Sequence, residues 1–296
     1  MTVQRRATVI ATSVAVLLTL VKFIIGVASG SVALLASAID SLLDTVISIF
    51  NFFAIKKSEE RANERFQYGK GKIQAIAGVI EGTIITISGL YIIYRAIEKA
   101  IYGEETALLT SAIGVMVFSI IATALLVWYL LRIAERTNNI VIKADALHYK
   151  TDLLSNGVIL LSLLLVSWTG FDIIDSIFGF LIGLYIIYSA YEIIEEGIFI
   201  LLDHSLDEKI TSKIKEIISS HSEVNGFHWL KTRTDGTHNF VELHLVLEPD
   251  MTLSKAHKIS DEIEGQIRKL DTKRKWVITP HYDPYDDEEI NNRDLL

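Results

Sequence analysis

SVALLASAIDSLLDTVISIFNFFAI, residues 31–55, is an apolar stretch of the length that crosses a bilayer, yet it contains two aspartates. Asp40 and Asp44 are one helical turn apart, so they share one face of the helix. An ionised carboxylate is costly to keep inside a membrane. The stretch therefore predicts a membrane helix whose two acids serve a purpose that outweighs this cost.

The overall composition is typical of a membrane protein. The 296 residues are 50% hydrophobic, and the mean hydropathy is +0.38. There is no cysteine, so disulfides and thiolate sites are excluded, and a metal must bind His, Asp, Glu or backbone oxygen. The formal net charge of −8 argues against a nucleic-acid partner. We also expect no organic cofactor.

Six segments approach the length and apolarity of a membrane span. The N-terminal segment lacks a small-residue cleavage site, so we interpret it as a retained helix and not as a signal peptide. Polar residues interrupt the third and the sixth segments. The six segments are 7–29, 31–55, 73–97, 107–132, 145–168 and 174–202.

The connections between these segments differ in charge. Residues 56–72 contain six Lys or Arg and residues 132–143 contain three, whereas 29–31, 102–106 and 169–172 contain none. Basic loops stay in the cytoplasm. Both termini are therefore expected to be cytoplasmic.

The composition changes near Asp203–Ser205, where the apolar part of the chain ends. All three prolines follow this point, within the last fifty residues. We predict three parts: a six-helix membrane domain, a cytoplasmic domain and a disordered acidic tail. Their predicted bounds are 1–203, 204–285 and 286–296.

A second polar pair lies in the fifth segment, in ADALHYKTDLLSN. His148 and Asp152 are again one turn apart. Two helices that each offer two ligands can form a site of one nitrogen and three oxygens, which suits a divalent cation and zinc above all. Burial favours a protonated carboxyl, whereas a bound cation favours an ionised one. Metal and protons would therefore compete for the same side chains, as in a proton-coupled exchanger.

Other polar residues in these segments have a simpler interpretation. Asn51, Asn156 and Asp175 are as well explained by hydrogen bonds between helices. Glu81 in the third segment is either a pathway residue or a hydrogen-bonded structural acid, and the sequence does not decide between these roles.

The C-terminal part predicts a small α+β domain of order αββαβ. In FVELHLVLE the apolar residues alternate, with Val241, Leu243, Leu245 and Leu247 on one face. Thr252 or Ser254 is the expected N-cap of the second helix. The predicted elements are helix 206–221, strands 225–235 and 239–248, helix 253–269 and strand 275–281.

The motifs together resemble one known family. The motifs that carry the resemblance are SGSVALLASAIDSLLDT, RFQYGKGKIQAIA, ADALHYKTDLLSNG, LLD at 201–203 and the tail pattern GFHWLKTR, VELHLVLE, AHKISDEIE and ITPHYDP. The sequence is similar to the cation diffusion facilitators, in the bacterial zinc and ferrous-iron efflux branch. The resemblance implies a homodimer with six membrane helices and a cytoplasmic ferredoxin-like domain, which exchanges cytoplasmic metal for protons by alternating access.

The resemblance also implies roles for particular residues. The transport site falls on Asp40, Asp44, His148 and Asp152, a composition similar to that of members that handle zinc and cadmium. An ion pair at the membrane–cytosol boundary, which helps to hold the dimer, falls on Lys72 and Asp203.

The loop after the second segment departs from the branch. Relatives with a metal site there have an acid and two histidines, where this sequence has Asn63, Phe66 and Lys70. We therefore predict no metal in this loop. Its basic charge serves topology and contacts lipid head groups.

A second metal site, holding a pair of ions in the cytoplasmic domain, is implied by five matched positions. These are His228, His244, His257, His281 and Asp283. Alternation independently places His244 on the exposed face of its strand, and His281 and Asp283 on one face of another. Tyr282 stands where the family has glutamine. The remaining histidines, His204, His221 and His238, are interpreted as surface residues.

We conclude from the sequence that the chain is a secondary transporter in a bacterial inner membrane. It would exchange Zn²⁺ for protons, with Cd²⁺, Fe²⁺, Co²⁺ or Mn²⁺ as the other candidate substrates. Zn²⁺ would also act as a regulatory ion, and membrane lipid and a second copy of the chain would be the partners. The rivals are a metal sensor or scaffold that does not transport, and a membrane-embedded metalloenzyme. A catalytic metal keeps a position open for water, which a four-ligand site does not.

Overall fold

The apolar segments become long helices in the computed structural model, which describes residues 2–29, 32–102, 110–169 and 173–287. The chain divides into two compact units, Met1–Ile198 and Phe199–Leu296. Each predicted segment overlaps one helix over its described residues, so the predicted fold class with six long helices is confirmed. The helices are α1 (Val3–Ser29), α2 (Val32–Ser58), α3 (Ile73–Tyr102), α4 (Thr110–Thr137), α5 (Ile140–Thr169) and α6 (Ile173–Leu201).

Five of these helices are long and apolar enough to cross a membrane over their described residues. The remaining one, α5, carries four charged residues in its first half, among them Lys143 and Lys150. Several helices extend beyond the apolar run that predicts them. For example, α2 continues through Lys56 and Lys57, because cations stabilise the carbonyl end of a helix.

The helix contacts surround a polar interior. The helix α1 packs along α2, and α4 packs along α5. The helices α2, α3 and α5 contact one another in all three pairs. Polar side chains that these three helices turn inward are therefore brought together.

Close contacts between glycines bring α3 and α6 together. A Cβ atom on Gly183 would lie 3.0 Å from the carbonyl oxygen of Gly89 and 2.5 Å from Cγ1 of Ile93. A side chain at position 183 would therefore push the two helices apart. Membrane helices use small residues in this way to bring their backbones close together.

The second unit contains α7 (Glu208–Ser219), β1 (Gly226–Thr234), β2 (His238–Val246), α8 (Leu253–Ile267) and β3 (Lys275–Asp283). The sheet order is β1-β2-β3, with β1 antiparallel and β3 parallel to β2. The predicted αββαβ order is confirmed. Asp207 and Thr252 cap the two helices by accepting backbone N–H groups.

One face of this sheet packs against both helices. Val241, Leu243 and Leu245 are at most 2% exposed, and they contact apolar residues of α7 and α8. The alternate residues of the strands lie on the opposite face, where the histidines are. The apolar core therefore fixes the position of the histidine-bearing face.

Leu245→Ala is expected to destabilise this unit by about 2–5 kcal/mol, because Leu245 is fully buried and its loss leaves a cavity. Thermal unfolding of the purified full chain measures the effect. Val277→Ala on β3 is the control, because Val277 is 40% exposed. Equal shifts for the two variants would contradict this description of the core.

Candidate metal centres

Three predicted ligands from two helices meet inside the first unit. His148 Nε2 lies 3.0 Å from Asp44 Oδ1 and 3.9 Å from Asp152 Oδ2. One ligand atom from each of the three residues lies within 4.8 Å of the others. The His148 side chain is 11% exposed, so the group is largely shielded. This intramembrane cluster, Asp44, His148 and Asp152, can offer one nitrogen and two oxygens to a divalent cation.

The fourth predicted ligand, Asp40, lies on α2 one turn before Asp44. Its side chain is outside the described part of the structure, as are the side chains of Asn156 and Asp175. The membership of Asp40 in the cluster therefore stays a prediction.

A second polar group lies next to the intramembrane cluster. Asn51 Nδ2 donates to Glu81 Oε2 at 3.0 Å and to Asp145 Oδ1 at 3.3 Å. All three side chains are at most 1% exposed. Asn51 thus makes hydrogen bonds between helices, as its simpler interpretation expected, and Glu81 is one of its partners.

Asp145 did not emerge from the sequence as a site residue. The signal that could have found it is its spacing of three from His148 and seven from Asp152, which places the three residues on one face of α5.

A row of three histidines crosses the sheet of the second unit. His228 pairs with His244, and His244 pairs with His281, as direct neighbours on adjacent strands. The strand β1 is irregular between His228 and Lys231, where Trp229 has a φ of 54°. Such a bulge redirects side chains, and His228 is 4% exposed.

Asp283 lies at the centre of this row. Its Oδ2 is 2.8 Å from His244 Nδ1 and 3.2 Å from His228 Nε2, and its Oδ1 is 3.2 Å from His281 Nε2. His228 Nε2 is also 2.9 Å from Asp287 Oδ1. The ligand atoms of His228, His244, Asp283 and Asp287 lie within 4.8 Å of one another. We call these four residues the sheet cluster; its imidazoles and carboxylates are a donor set that fits zinc.

The sheet cluster differs in part from the five predicted positions. Asp287, which was assigned to a disordered tail, is a member, and Asp286 lies 3.5 Å from His228. His281 contacts Asp283 at the edge of the sheet cluster. His257 is not brought to the cluster: its side chain is 70% exposed on α8 and lies 3.7 Å from Asp261.

Tyr282 has a structural role. It packs against the apolar core, on the face away from the histidine row. The three other histidines lie outside both clusters, where they contact Ser205 (His204), Glu262 (His221) and Asp235 (His238).

The three altered positions of the loop after α2 contribute to closing that loop. Asn63 and Phe66 exchange backbone hydrogen bonds, and Lys70 Nζ lies 5.0 Å from the centre of the Phe66 ring. Hydrogen bonds from Lys57 and Lys70 lower the pKa of Glu60 to about 2. Lys72 follows this loop, whereas Asp203 lies in the other unit and accepts a hydrogen bond from Arg233 at 3.3 Å. The Lys72–Asp203 pair stays a prediction.

Comparisons with known proteins cover both units. Residues 8–202 match the cation efflux transmembrane domain, and residues 206–285 match the cytoplasmic domain of cation efflux proteins. The cation-efflux pump FieF of Pectobacterium atrosepticum is 33% identical over 290 residues, which are 98% of this chain and 96% of the relative. FieF of Serratia proteamaculans is 35% identical over 265 residues, 89% of this chain and 87% of the relative. FieF of Shigella boydii is 34% identical over 264 residues, which are 88% of this chain and 87% of the relative.

Proposed function

This chain belongs to the cation efflux family, the cation diffusion facilitators, and from that premise we propose that it is a Zn²⁺/H⁺ antiporter that exports zinc from the cytoplasm by alternating access. The family places it among membrane transporters of divalent cations and not among enzymes. The observation that carries the proposal is the intramembrane cluster, in which Asp44 of one helix meets His148 and Asp152 of another.

The cluster supports exchange because the contact between His148 and Asp44 can hold a proton. His148 Nε2 and Asp44 Oδ1 are 3.0 Å apart, and a hydrogen bond at this distance needs a proton between them. A metal ion can take Nε2 only after that proton has left this nitrogen. Imidazole exchanges protons near neutral pH, so His148 is suited to this competition.

The same cluster can serve both directions of the cycle. On the cytoplasmic side, metal displaces protons from Asp44, His148 and Asp152, and Asp40 completes the set. On the outer side, where protons are supplied, protonation of the same ligands releases the metal. We place the protein in a bacterial inner membrane, with the basic loops and both termini on the cytoplasmic side, because the loops between the helices differ in their Lys and Arg content.

Zinc is the proposed main substrate, because one imidazole with carboxylates is a ligand set that zinc prefers and that cadmium shares. Ferrous iron, cobalt and manganese are ranked below them, since Mn²⁺ prefers a set of oxygens alone.

Accumulation against a concentration gradient tests the proposal. The protein is reconstituted in liposomes with an acidic interior and a zinc dye inside, and Zn²⁺ is added outside. We expect interior zinc to rise above the external concentration, and an ionophore that dissipates the pH gradient to abolish this rise. Repeating the measurement with Cd²⁺, Fe²⁺, Co²⁺ and Mn²⁺ ranks the substrates. A metal sensor or scaffold would bind zinc without accumulating it, which would refute the proposal.

The sheet cluster is proposed as a regulatory metal site. His228, His244, Asp283 and Asp287 would hold the metal, with His281 at the edge. The matching family domain favours a homodimer, in which metal would stabilise the association of the cytoplasmic domains. His257 of one chain would join only if assembly brings it to the cluster, and Lys72 with Asp203 would form the predicted boundary ion pair.

Asp287→Asn is expected to weaken zinc binding at the sheet cluster by more than about 100-fold, because a proposed ligand carboxylate 2.9 Å from His228 is lost, and even the loss of a supporting residue costs about 10- to 100-fold. Calorimetric titration of the full chain with Asp44→Ala, which silences the intramembrane cluster, measures this affinity. Asp250→Asn, a change at an exposed acid, is the control. Equal affinity in Asp287→Asn and the control would show that Asp287 is not a ligand.

A further inference from the structure

Two buried acids next to the intramembrane cluster have no role in the mechanism so far. Glu81 of α3 and Asp145 of α5 are 1% and 0% exposed, and we call them the carboxyl pair. Both accept a hydrogen bond from the same amide, Asn51 Nδ2. Neither is hydrogen-bonded to Asp44, His148 or Asp152 within the described residues.

The hydrogen bonds of the carboxyl pair are incomplete. Glu81 Oε1, Asp145 Oδ2 and Asn51 Oδ1 are all buried, and none of them has a hydrogen-bond partner among the described residues. All three atoms are acceptors, so the local shortage is of donors. A buried acceptor without a donor is unfavourable. A proton on either carboxyl converts an acceptor into a donor, which is what this group lacks.

The charges around the carboxyl pair also favour a bound proton. Two ionised carboxylates that share one neutral amide inside a membrane are strongly unfavourable. In the part of the chain that the structure describes, no cation lies within ion-pair distance of Glu81 or Asp145. Lys143, two residues before Asp145 on α5, is engaged by both oxygens of Glu196 at 2.8 Å.

The titratable groups that act most strongly on the pair from outside come from two helices. They are His148 of α5, which acts on both acids, and Asp44 of α2, which acts on Asp145. Ser48 of α2 also acts on Asp145, as a hydrogen-bond donor, and its Oγ is 2.7 Å from the hydroxyl of Tyr149 on α5. The described residues of α1, α4 and α6 supply none of the principal charges.

A further polar layer lies two helical turns from the carboxyl pair, at the helix ends that carry the basic loops. Gln74 Nε2 donates to Ser58 Oγ at 2.6 Å, and Asn139 Nδ2 donates to Gln74 Oε1 at 3.0 Å. Ser58 ends α2, and Asn139 caps the start of α5. On α2, Asp44, Asn51 and Ser58 are spaced by seven residues, so they follow one face of the helix.

We propose that Glu81 and Asp145, joined by Asn51, form a proton-binding site that is separate from the metal ligands and carries one of the exchanged protons. The inference rests on the antiport proposed above. Zn²⁺ arriving among Asp44, His148 and Asp152 brings two positive charges close to the pair and favours its ionised form. The proton then leaves toward the helix ends at which Ser58, Gln74 and Asn139 form the polar layer. Metal and proton are thereby coupled through their charges without sharing a ligand.

The test counts protons released when zinc binds. The full chain with Asp283→Asn, which silences the sheet cluster, is titrated with Zn²⁺ in weakly buffered detergent solution that contains a pH dye. Glu81→Gln and Asp145→Asn are each expected to bind as much zinc as this parent and to release about one proton fewer per zinc. The double variant should lose no more than either single variant, because the pair shares one proton.

Two further variants separate this role from a structural one. Glu81→Asp keeps the carboxyl and should release protons like the parent. Glu98→Gln changes a partly exposed acid at the far end of α3, bonded to Arg95, and should also match the parent. Thermal unfolding checks that each variant is folded.

Each outcome decides the matter. Proton release that is unchanged in folded Glu81→Gln and Asp145→Asn would overturn the proton site and leave the antiport intact. A loss of bound zinc in these variants would show that the pair binds metal, which also overturns it. A parent that binds zinc and releases no proton would refute the antiport itself.

Discussion

Zinc binding inside the membrane is expected to fall by more than about 100-fold in Asp44→Ala, and zinc transport is expected to stop. Asp44 is the one described carboxylate that α2 supplies to the cluster, and it is 3.0 Å from His148. Loss of a residue that merely supports a ligand costs about 10- to 100-fold in affinity, so loss of a ligand should cost more. Asp152→Ala, on the other helix, is expected to have the same effect.

Calorimetry on the full chain, in a background of Asp283→Asn, measures this binding without the sheet cluster. Glu98→Ala is the matched control, because it removes a partly exposed acid from α3 outside the cluster. An Asp44→Ala variant that is folded and still binds and transports zinc like the control would show that the cluster is not the transport site.

The second large effect is expected at the sheet cluster, where Asp283→Asn should abolish zinc binding. Among the described residues, Asp283 is the one carboxylate that contacts all three histidines of the row, at 2.8–3.2 Å. A metal present at about 100 times its Kd stabilises the folded form by about 2.7 kcal/mol. The variant should therefore lose this stabilisation.

Thermal unfolding of the full chain with and without Zn²⁺, in a background of Asp44→Ala, measures the stabilisation. Asp250→Asn should keep the zinc-dependent shift in melting temperature. If Asp283→Asn keeps it as well, the sheet cluster does not bind zinc.

The predictions from the sequence succeed where a regular spacing of residues along a helix or strand determines which face a side chain lies on. A spacing of four placed His148 and Asp152 on one helix face, and alternation placed His244 on the strand face opposite the core. In both places the side chains lie as the period requires. The register between strands, which brings His228, His244 and His281 into one row, depends on pairing that no local pattern fixes.

The residues that were missed lie where local patterns do not decide the contacts. Asp287 follows Pro284, beyond the last strand, and reaches His228 through a turn of the chain. The bulge at Trp229 turns β1 locally, which no period predicts. Asn51, Glu81 and Asp145 come from three helices, so their association depends on how the helices pack.

Zinc and protons measured together in the same vesicles test the central claim most directly. The protein is reconstituted in liposomes that contain a zinc dye and a pH dye, and Zn²⁺ is added outside with equal pH on both sides. The account predicts that interior zinc and interior pH rise together, because protons leave as zinc enters, and that Asp44→Ala shows neither change. Zinc entry without proton movement would contradict proton-coupled exchange, and the absence of both signals in the folded wild-type protein would contradict transport of zinc altogether.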